Sequence, residues 1–451
     1  MGNGSGWILC ITNKAREFKL NKLAINGGSA TRTTDFMARS TMGDTEKKAV
    51  MEVMESGELS GFFGSPGPQW LGGEKVKQFE RKWADNYGFK HAISVNSWTT
   101  GLMTAVGAMG IGPGDEVIVS PYTMSASATA ILFYGGIPVF ADIDPETFNI
   151  TAATIKSLIT PRTKAIMVVH IFGQTAEMED IMALARKHSL KVIEDGAQSP
   201  GVKYKGKPIC SFGDIGGFSL NYHKHIHTGE GGILVTNDDQ VALRCQLIRN
   251  HGENLVEVLP IEELTNMLGS NYRLTELQAA IGIAQLDRLD GYVAHRQGLA
   301  SYFGKQLAEI SGLTPAKVVD GAEHAYYLYP VKYNSSVTGI SRKAFVQAVN
   351  AELPPVKIWE QTGFIAGYIK PLYLAPLYQK KIAIGSKGFP WNINSGVEYN
   401  YSEGICPVAE RMYDQELIYT PLIREPLAES DIDDFVAAIK KVLANLGELV
   451  G

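Results

Sequence analysis

The chain has 451 residues, enough for two or three domains and for a large buried core that needs no staples. Hydrophobic residues make up 45% and charged residues 20%, an ordinary globular balance, and a net charge of −5 leaves no broad basic footprint for nucleic acid or an anionic membrane. No run is long and apolar enough to span a bilayer. The four cysteines, Cys10, Cys210, Cys245 and Cys406, form no CxxC pair, so neither a disulfide framework nor a zinc site is expected. The opening MGNGSGWILC has no basic start and only a brief apolar run, which points to a cytoplasmic protein rather than a secreted one.

Residues 1–40 are polar and rich in Gly and Thr, and are expected as a loosely attached arm. Residues 41–290 then alternate short apolar runs with helical patterns. Strands are expected at 91–95 (HAISV), 116–120 (EVIVS), 137–143 (IPVFADI), 165–170 (AIMVVH), 191–195 (KVIED) and 231–236 (GGILVT). Helices are expected at 99–110, through SASATAILFYG and across TAATIKSLI. Such alternation predicts an α/β fold with a mostly parallel sheet covered on both faces. From 271 to 310 the pattern reads as one long helix leading into a smaller domain, 291–451. That domain holds a strand candidate at YYLYPVKYN and an amphipathic last helix, DIDDFVAAIKKVLANL. The Pro/Tyr/Gly-rich stretch 353–406 is too long for a plain connection and is expected as a lid or an insertion.

Ligands in parallel α/β sheets bind at the carboxyl ends of the strands. Three such ends carry chemistry-bearing residues. HAISVNSWTTG runs a strand into Asn96, Ser97, Trp98, Thr99 and Thr100 at a helix start, where free N–H groups and hydroxyls suit a phosphate; a plain N-cap is the bland alternative. KVIEDGAQSPG ends its strand on Asp195, a carboxylate that needs a cationic or N–H partner, or that caps the next helix. GGFSLNYHKHIHTGEGGILVT holds Ser219 and Lys224 beside His223, His225 and His227. Partial burial would lower the lysine pKa and make it an amine nucleophile. The His-x-His-x-His spacing lacks a completing carboxylate or cysteine, so no metal is expected; two of the three should line a polar pocket and one should face solvent. Together a lysine, a carboxylate and a phosphate cup are what pyridoxal-phosphate (PLP) chemistry asks of a protein.

From LAINGG at 23–28 to the last helix, the chain resembles the DegT/DnrJ/EryC1/StrS family of sugar aminotransferases, fold-type I PLP enzymes related in fold to aspartate aminotransferase. The resemblance rests on Ser219 and Lys224 followed by Thr228–Gly232, on Asp195 with Gln198, on Asn96–Leu102, and on Gly269, Asn271, Tyr272 and Arg273. VVHIFGQ and ICPVAERMYDQELIYTPL match further segments. It implies Lys224 as the Schiff-base lysine, Asp195 on the pyridine nitrogen, Gln198 near the ring oxygen, and Ser219 with the amides of Trp98 and Thr99 on the phosphate. It also implies a homodimer in which Asn271 reaches the neighbouring subunit's cofactor, with His170 and Tyr373 meeting substrate. Met124 stands where an aromatic usually stacks on the ring, and its polarizable sulfur can cover that ring. Trp98 is large for a loop position that is normally small. GSKGFPWN at 385–392 is expected as a specificity element.

The implied activity is transfer of an amino group from glutamate or glutamine to a keto sugar, nucleotide-linked, or to a cyclitol. Two alternatives stay open on sequence. One is a PLP-dependent sugar dehydratase, in which histidine replaces the lysine. The other is a catalytically silent binding or regulatory protein on the same fold.

Overall fold

The computed structural model describes residues 22–259, 261, 263–357 and 361–449; the opening stretch with Cys10 lies outside them. Cys210, Cys245 and Cys406 are buried and free. No described helix is long and apolar enough to cross a membrane.

The apolar runs of the first half become β1 (His91–Val95), β2 (Glu116–Val119), β3 (Ile137–Phe140), β4 (Thr163–Val169) and β5 (Lys191–Asp195). After a two-residue ribbon, β6 (Lys203–Tyr204) with β7 (Lys207–Pro208), come β8 (Ile215–Ser219) and β9 (Gly232–Thr236). Seven of them form one sheet in the order β1-β9-β8-β5-β4-β2-β3. Every neighbour from β3 to β8 is parallel; β9 runs antiparallel to both β8 and β1. Strands such as EVIV are buried along their whole length because helices cover both faces. β8 was not expected, since Gly216 and Gly217 give its sequence a weak strand signal. The two glycines are a packing requirement: a Cβ at 216 would lie 2.6 Å from Cys210 Cβ, and one at 217 would lie 2.5 Å from the Trp98 ring.

Among the described residues the helices are α1 (Asp44–Ser56), α2 (Glu74–Tyr87), α3 (Trp98–Ala108), α4 (Ala126–Phe133), α5 (Ala152–Lys156), α6 (Met178–Lys187), α7 (Asp239–Arg249), α8 (Glu276–Leu286), α9 (Leu289–Leu307), α10 (Arg342–Ala351) and α11 (Glu429–Ala444), besides three short ones. The single helix expected over 271–310 is two. Thr275 caps α8, accepting from the Gln278 N–H, and the chain bends at Asp287–Arg288. The buried Gln285 side chain ties the end of α8 to Thr41 and Glu46, so α8 stays on α1 while α9 turns toward α11.

A second sheet holds β10 (Leu313–Pro315), β11 (Tyr329–Tyr333), β12 (Ile365–Ala366) and β13 (Leu417–Thr420), all antiparallel in the order β10-β11-β13-β12. Its core gathers Phe303, Phe345, Phe364 and Phe435. The first described residues belong to this core instead of forming a loose arm: Leu23 and Phe36 are buried in it. Glu352 accepts from the Ala24 and Thr31 N–H groups, and Arg32 pairs with Asp431 and Asp434.

Within the described part of 353–406, Ile365–Ala366 joins the second sheet as β12, and residues 389–401 pack over the β3 edge of the large sheet. Tyr401 donates its hydroxyl to the Pro138 carbonyl at 2.7 Å and accepts from Trp391 Nε1 at 2.9 Å. Tyr399 donates to the buried Glu116, and Asn394 donates to the Gly114 carbonyl. Pro138 is tolerated because β3 is an edge strand, and residues 389–401 cover the edge that would otherwise stay open. Phe389 packs at Gly135, before β3 begins. The 385–392 segment therefore sits at the amino ends of β2 and β3, away from the carboxyl-end cleft. This placement corrects the expectation of a specificity element there.

Candidate active site

The carboxyl ends of β1, β5 and β8 meet in one cleft. Val95 and Ser219 flank Gly232 in register, so the α3 entry and Ser219 face each other across β9, two strand spacings or about 10 Å apart. Ser97 caps α3, its hydroxyl accepting from the Thr100 N–H at 3.1 Å. The N–H groups of Trp98 and Thr99 find no acceptor among the described residues. An 11-residue helix with two open N–H groups at its start, opposite a serine, fits a phosphate.

Asp195 ends β5, buried. Its Oδ1 accepts from Trp98 Nε1 at 2.7 Å and from the Ala197 N–H at 3.1 Å; its Oδ2 accepts from the Ser127 hydroxyl at 2.8 Å. Gln198 accepts from the Phe172 N–H at 2.6 Å and donates to the Tyr368 hydroxyl at 2.8 Å.

Lys224 lies in the turn after β8. Its Nζ sits 4.2 Å from the centre of the Tyr327 ring and makes no hydrogen bond or ion pair among the described residues. Burial pulls its pKa down to about 8, against the upward pull of the Asp195 carboxylate. The backbone of this turn is clamped from behind, where Arg39 donates to the carbonyls of Lys224 and His225 at 2.5 and 2.6 Å.

The neighbouring histidines have other tasks. His225 is fully buried and bonds the Ala325 carbonyl through Nε2, and burial holds its pKa well below the ordinary value. His227 pairs with the Thr41 hydroxyl and is lowered to about 4, first by burial and then by Arg39. His223 lies against Tyr222, the ring centres 3.7 Å apart and the planes tilted by 40°. None of the three is simply a solvent-facing residue, as had been expected of one of them. The one buried trio with metal-ligand chemistry among the described residues is His170, Glu194 and Cys210, and it is already satisfied. Glu194 accepts from the N–H groups of Cys210, Phe212 and Gly213 as well as from His170.

That arrangement corrects the expectation for His170. Its Nδ1 accepts from the Ala176 N–H, its Nε2 faces Glu194, and the side chain is fully buried, so neither nitrogen is open to substrate. Tyr373 is likewise fully buried, packs on Phe140 and donates its hydroxyl to Glu410. Met124 is exposed at the turn before α4. Asn271 is also exposed; its Oδ1 accepts from Arg273 and its carbonyl accepts from Asn96 of the α3 entry at 3.4 Å. Four site residues escaped the sequence reading: Ser127, Tyr327, Tyr368 and Arg39. None stands in a recognisable spacing, and Tyr327 was hidden in a run that read as strand.

An amine nucleophile, a carboxylate and a phosphate cradle in one cleft match the donor set that PLP needs. The comparisons with known proteins agree. The DegT/DnrJ/EryC1/StrS aminotransferase family model matches residues 42–392. The chain is 41% identical over 305 residues to GDP-perosamine synthase of Caulobacter vibrioides, covering 67% of this chain and 78% of that protein. It is 31% identical over 438 residues to L-glutamine:scyllo-inosose aminotransferase of Streptomyces griseus, covering 95% of this chain and 99% of that protein. The solved aminotransferase from Psychrobacter cryohalolentis superposes with a TM-score of 0.75 at 32% identity, over 91% of this chain and 100% of that one. The chain belongs to the DegT/DnrJ/EryC1/StrS aminotransferase family and is a PLP-dependent aminotransferase.

Proposed function

We propose that this enzyme moves an amino group from glutamate or glutamine to the ketone of a sugar, nucleotide-linked, or of a cyclitol. Two relatives carry those chemistries in their names, one a GDP-linked amino sugar and the other an L-glutamine:cyclitol pair. The observation that carries the reading is the Lys224 amine, which makes no ion pair among the described residues, lies against the Tyr327 ring, is held down to about 8 and feels the Asp195 charge. When bound, PLP supplies the carbonyl that takes up the amino group and a ring that delocalises negative charge at the substrate carbon.

The chain's own residues do the rest. Lys224 anchors the cofactor and, once released, moves a proton to and from the substrate carbon. Asp195 would pair with the pyridine nitrogen, Ser219 and the amides of Trp98 and Thr99 would hold the phosphate, and Gln198 and Met124 would bind the ring. Tyr327 and Tyr368, both half-buried near this amine and Gln198, line the approach for substrate. The cleft holds Lys224, a primary amine able to form a Schiff base, where the dehydratase alternative would have a histidine, and His225 is turned away to the Ala325 carbonyl. This supports transamination over dehydration.

The active unit is a homodimer. Phe63 and Leu268 are 58% and 78% exposed, and the Phe63 carbonyl bonds Asn250, which bridges to Asn271. That apolar exposure around Asn271 suits a partner subunit. Light scattering should give twice the chain mass. Adding glutamate or glutamine to the PLP-loaded enzyme should convert its visible band to that of the amine form; failure with both donors contradicts the proposal.

A further inference from the structure

Trp98 does more than open α3. Its indole enters a slot left by Gly101 and Gly217, and Gly232 leaves room for its backbone. A Cβ at Gly101 would meet the ring at 2.6 Å, one at Gly217 at 2.5 Å, and one at Gly232 would meet the Trp98 backbone at 2.9 Å. From this slot Nε1 reaches Asp195 Oδ1 at 2.7 Å.

A carboxylate offers about four acceptor positions, two on each oxygen. Trp98 and Ala197 take both on Oδ1, and Ser127 takes one on Oδ2. One position remains, on Oδ2.

We infer that Trp98 is a positioning residue for the cofactor's pyridine nitrogen. By saturating Oδ1 it fixes the plane of the Asp195 carboxylate and leaves Oδ2 as the single acceptor for the ring N–H. The inference rests on the reading of Asp195 as the pyridine partner. It gives the unusually large residue in the phosphate loop a role in the electronics of the ring, separate from the backbone amide that meets the phosphate.

Trp98→Phe keeps an aromatic ring in the slot and removes the N–H. Lys224 should still take up the cofactor, with a dissociation constant weakened about tenfold, the loss expected for one hydrogen bond to a charged group. The ring would then hold its positive charge less firmly, so the pH midpoint of the bound cofactor's visible absorbance should move upward. Gly101→Ala gives a second route. Its methyl pushes on the buried ring at Trp98 Cε3 and Cζ3, so the folded apoprotein should melt lower, the overpacking outweighing the helix gain, while the midpoint again rises. A wild-type midpoint and dissociation constant in folded Trp98→Phe, or a wild-type midpoint in Gly101→Ala, overturns the inference. If the wild-type protein itself shows no lysine-bound cofactor band, the Asp195 reading falls and takes this inference with it.

Discussion

Lys224 shows how a common side chain becomes a reagent. Its amine loses water on entering the cleft and gains only the face of Tyr327 and the more distant charge of Asp195, so burial wins and the pKa falls to about 8. Only the neutral amine attacks an aldehyde. The rate at which apoprotein develops the PLP band should therefore climb as pH rises through about 8 and level off above it; stopped-flow absorbance reads this directly. A rate still climbing toward pH 10 would mean an ordinary exposed lysine. Sequence reading was enough to find Lys224, Asp195, Gln198 and Ser219. Asp195 and Gln198 stand at the end of β5, which the apolar pattern marks, whereas Ser219 and Lys224 stand at and after the unmarked β8 and drew notice through the glycine-bounded turn that leads into β9. Sequence reading did not find Ser127 or the indole of Trp98, which reach Asp195 only through the crossing of α3 and α4 at the sheet. It misjudged His170 and Tyr373, since a polar residue at a strand end looks the same in sequence whether it faces the cleft or, like His170, turns inward to Glu194.

Among the elements, the central strands were legible because strands buried on both faces are written as unbroken apolar runs. β8 was not, since its glycines serve the bulk of Cys210 and Trp98 and erase the pattern. The helix expected across 271–310 failed for a related reason. Apolar periodicity persists through Asp287, and only the tertiary anchoring of Gln285 to Thr41 and Glu46 shows where α8 must stop. The excess length of 353–406 was visible, but the place of residues 389–401 at the β3 edge depends on side chains distant in sequence. Tyr401→Phe removes the donor to Pro138 and the acceptor for Trp391 in one step. It should cost about 1–3 kcal/mol, seen as a lower urea midpoint, and leave the cofactor spectrum as in wild type. A changed spectrum with unchanged stability would contradict the edge-cover account.

At the scale of the molecule, three distant segments meet behind the Lys224 turn. Arg39 from the first described segment, Arg296 on α9 and Glu425 after β13 form a buried charge network, and Arg39 also holds the Lys224 and His225 carbonyls. Burial alone would raise the Glu425 pKa, but Arg296 and Arg39 outweigh it and hold it at about 2. The unfolded chain would titrate near 4.5, so this carboxylate contributes stability above that pH and the contribution is lost as pH falls toward 2. Arg39→Ala leaves Glu425 short of one partner. It should lose about 3–5 kcal/mol and shift acid unfolding to higher pH in a circular-dichroism titration. No shift would mean that Arg296 alone satisfies the carboxylate. None of this was legible in the sequence, where residues 1–40 look like an unattached arm and Arg39 is one more surface charge.

The central claim is that Lys224 is the amine that binds PLP covalently. Borohydride reduction of the PLP-loaded enzyme followed by peptide mass spectrometry tests it most directly. The account predicts a reduced adduct on the peptide bearing Lys224 and its disappearance in Lys224→Ala. A reducible adduct that persists in Lys224→Ala, or one found on another lysine of the native enzyme, would contradict it.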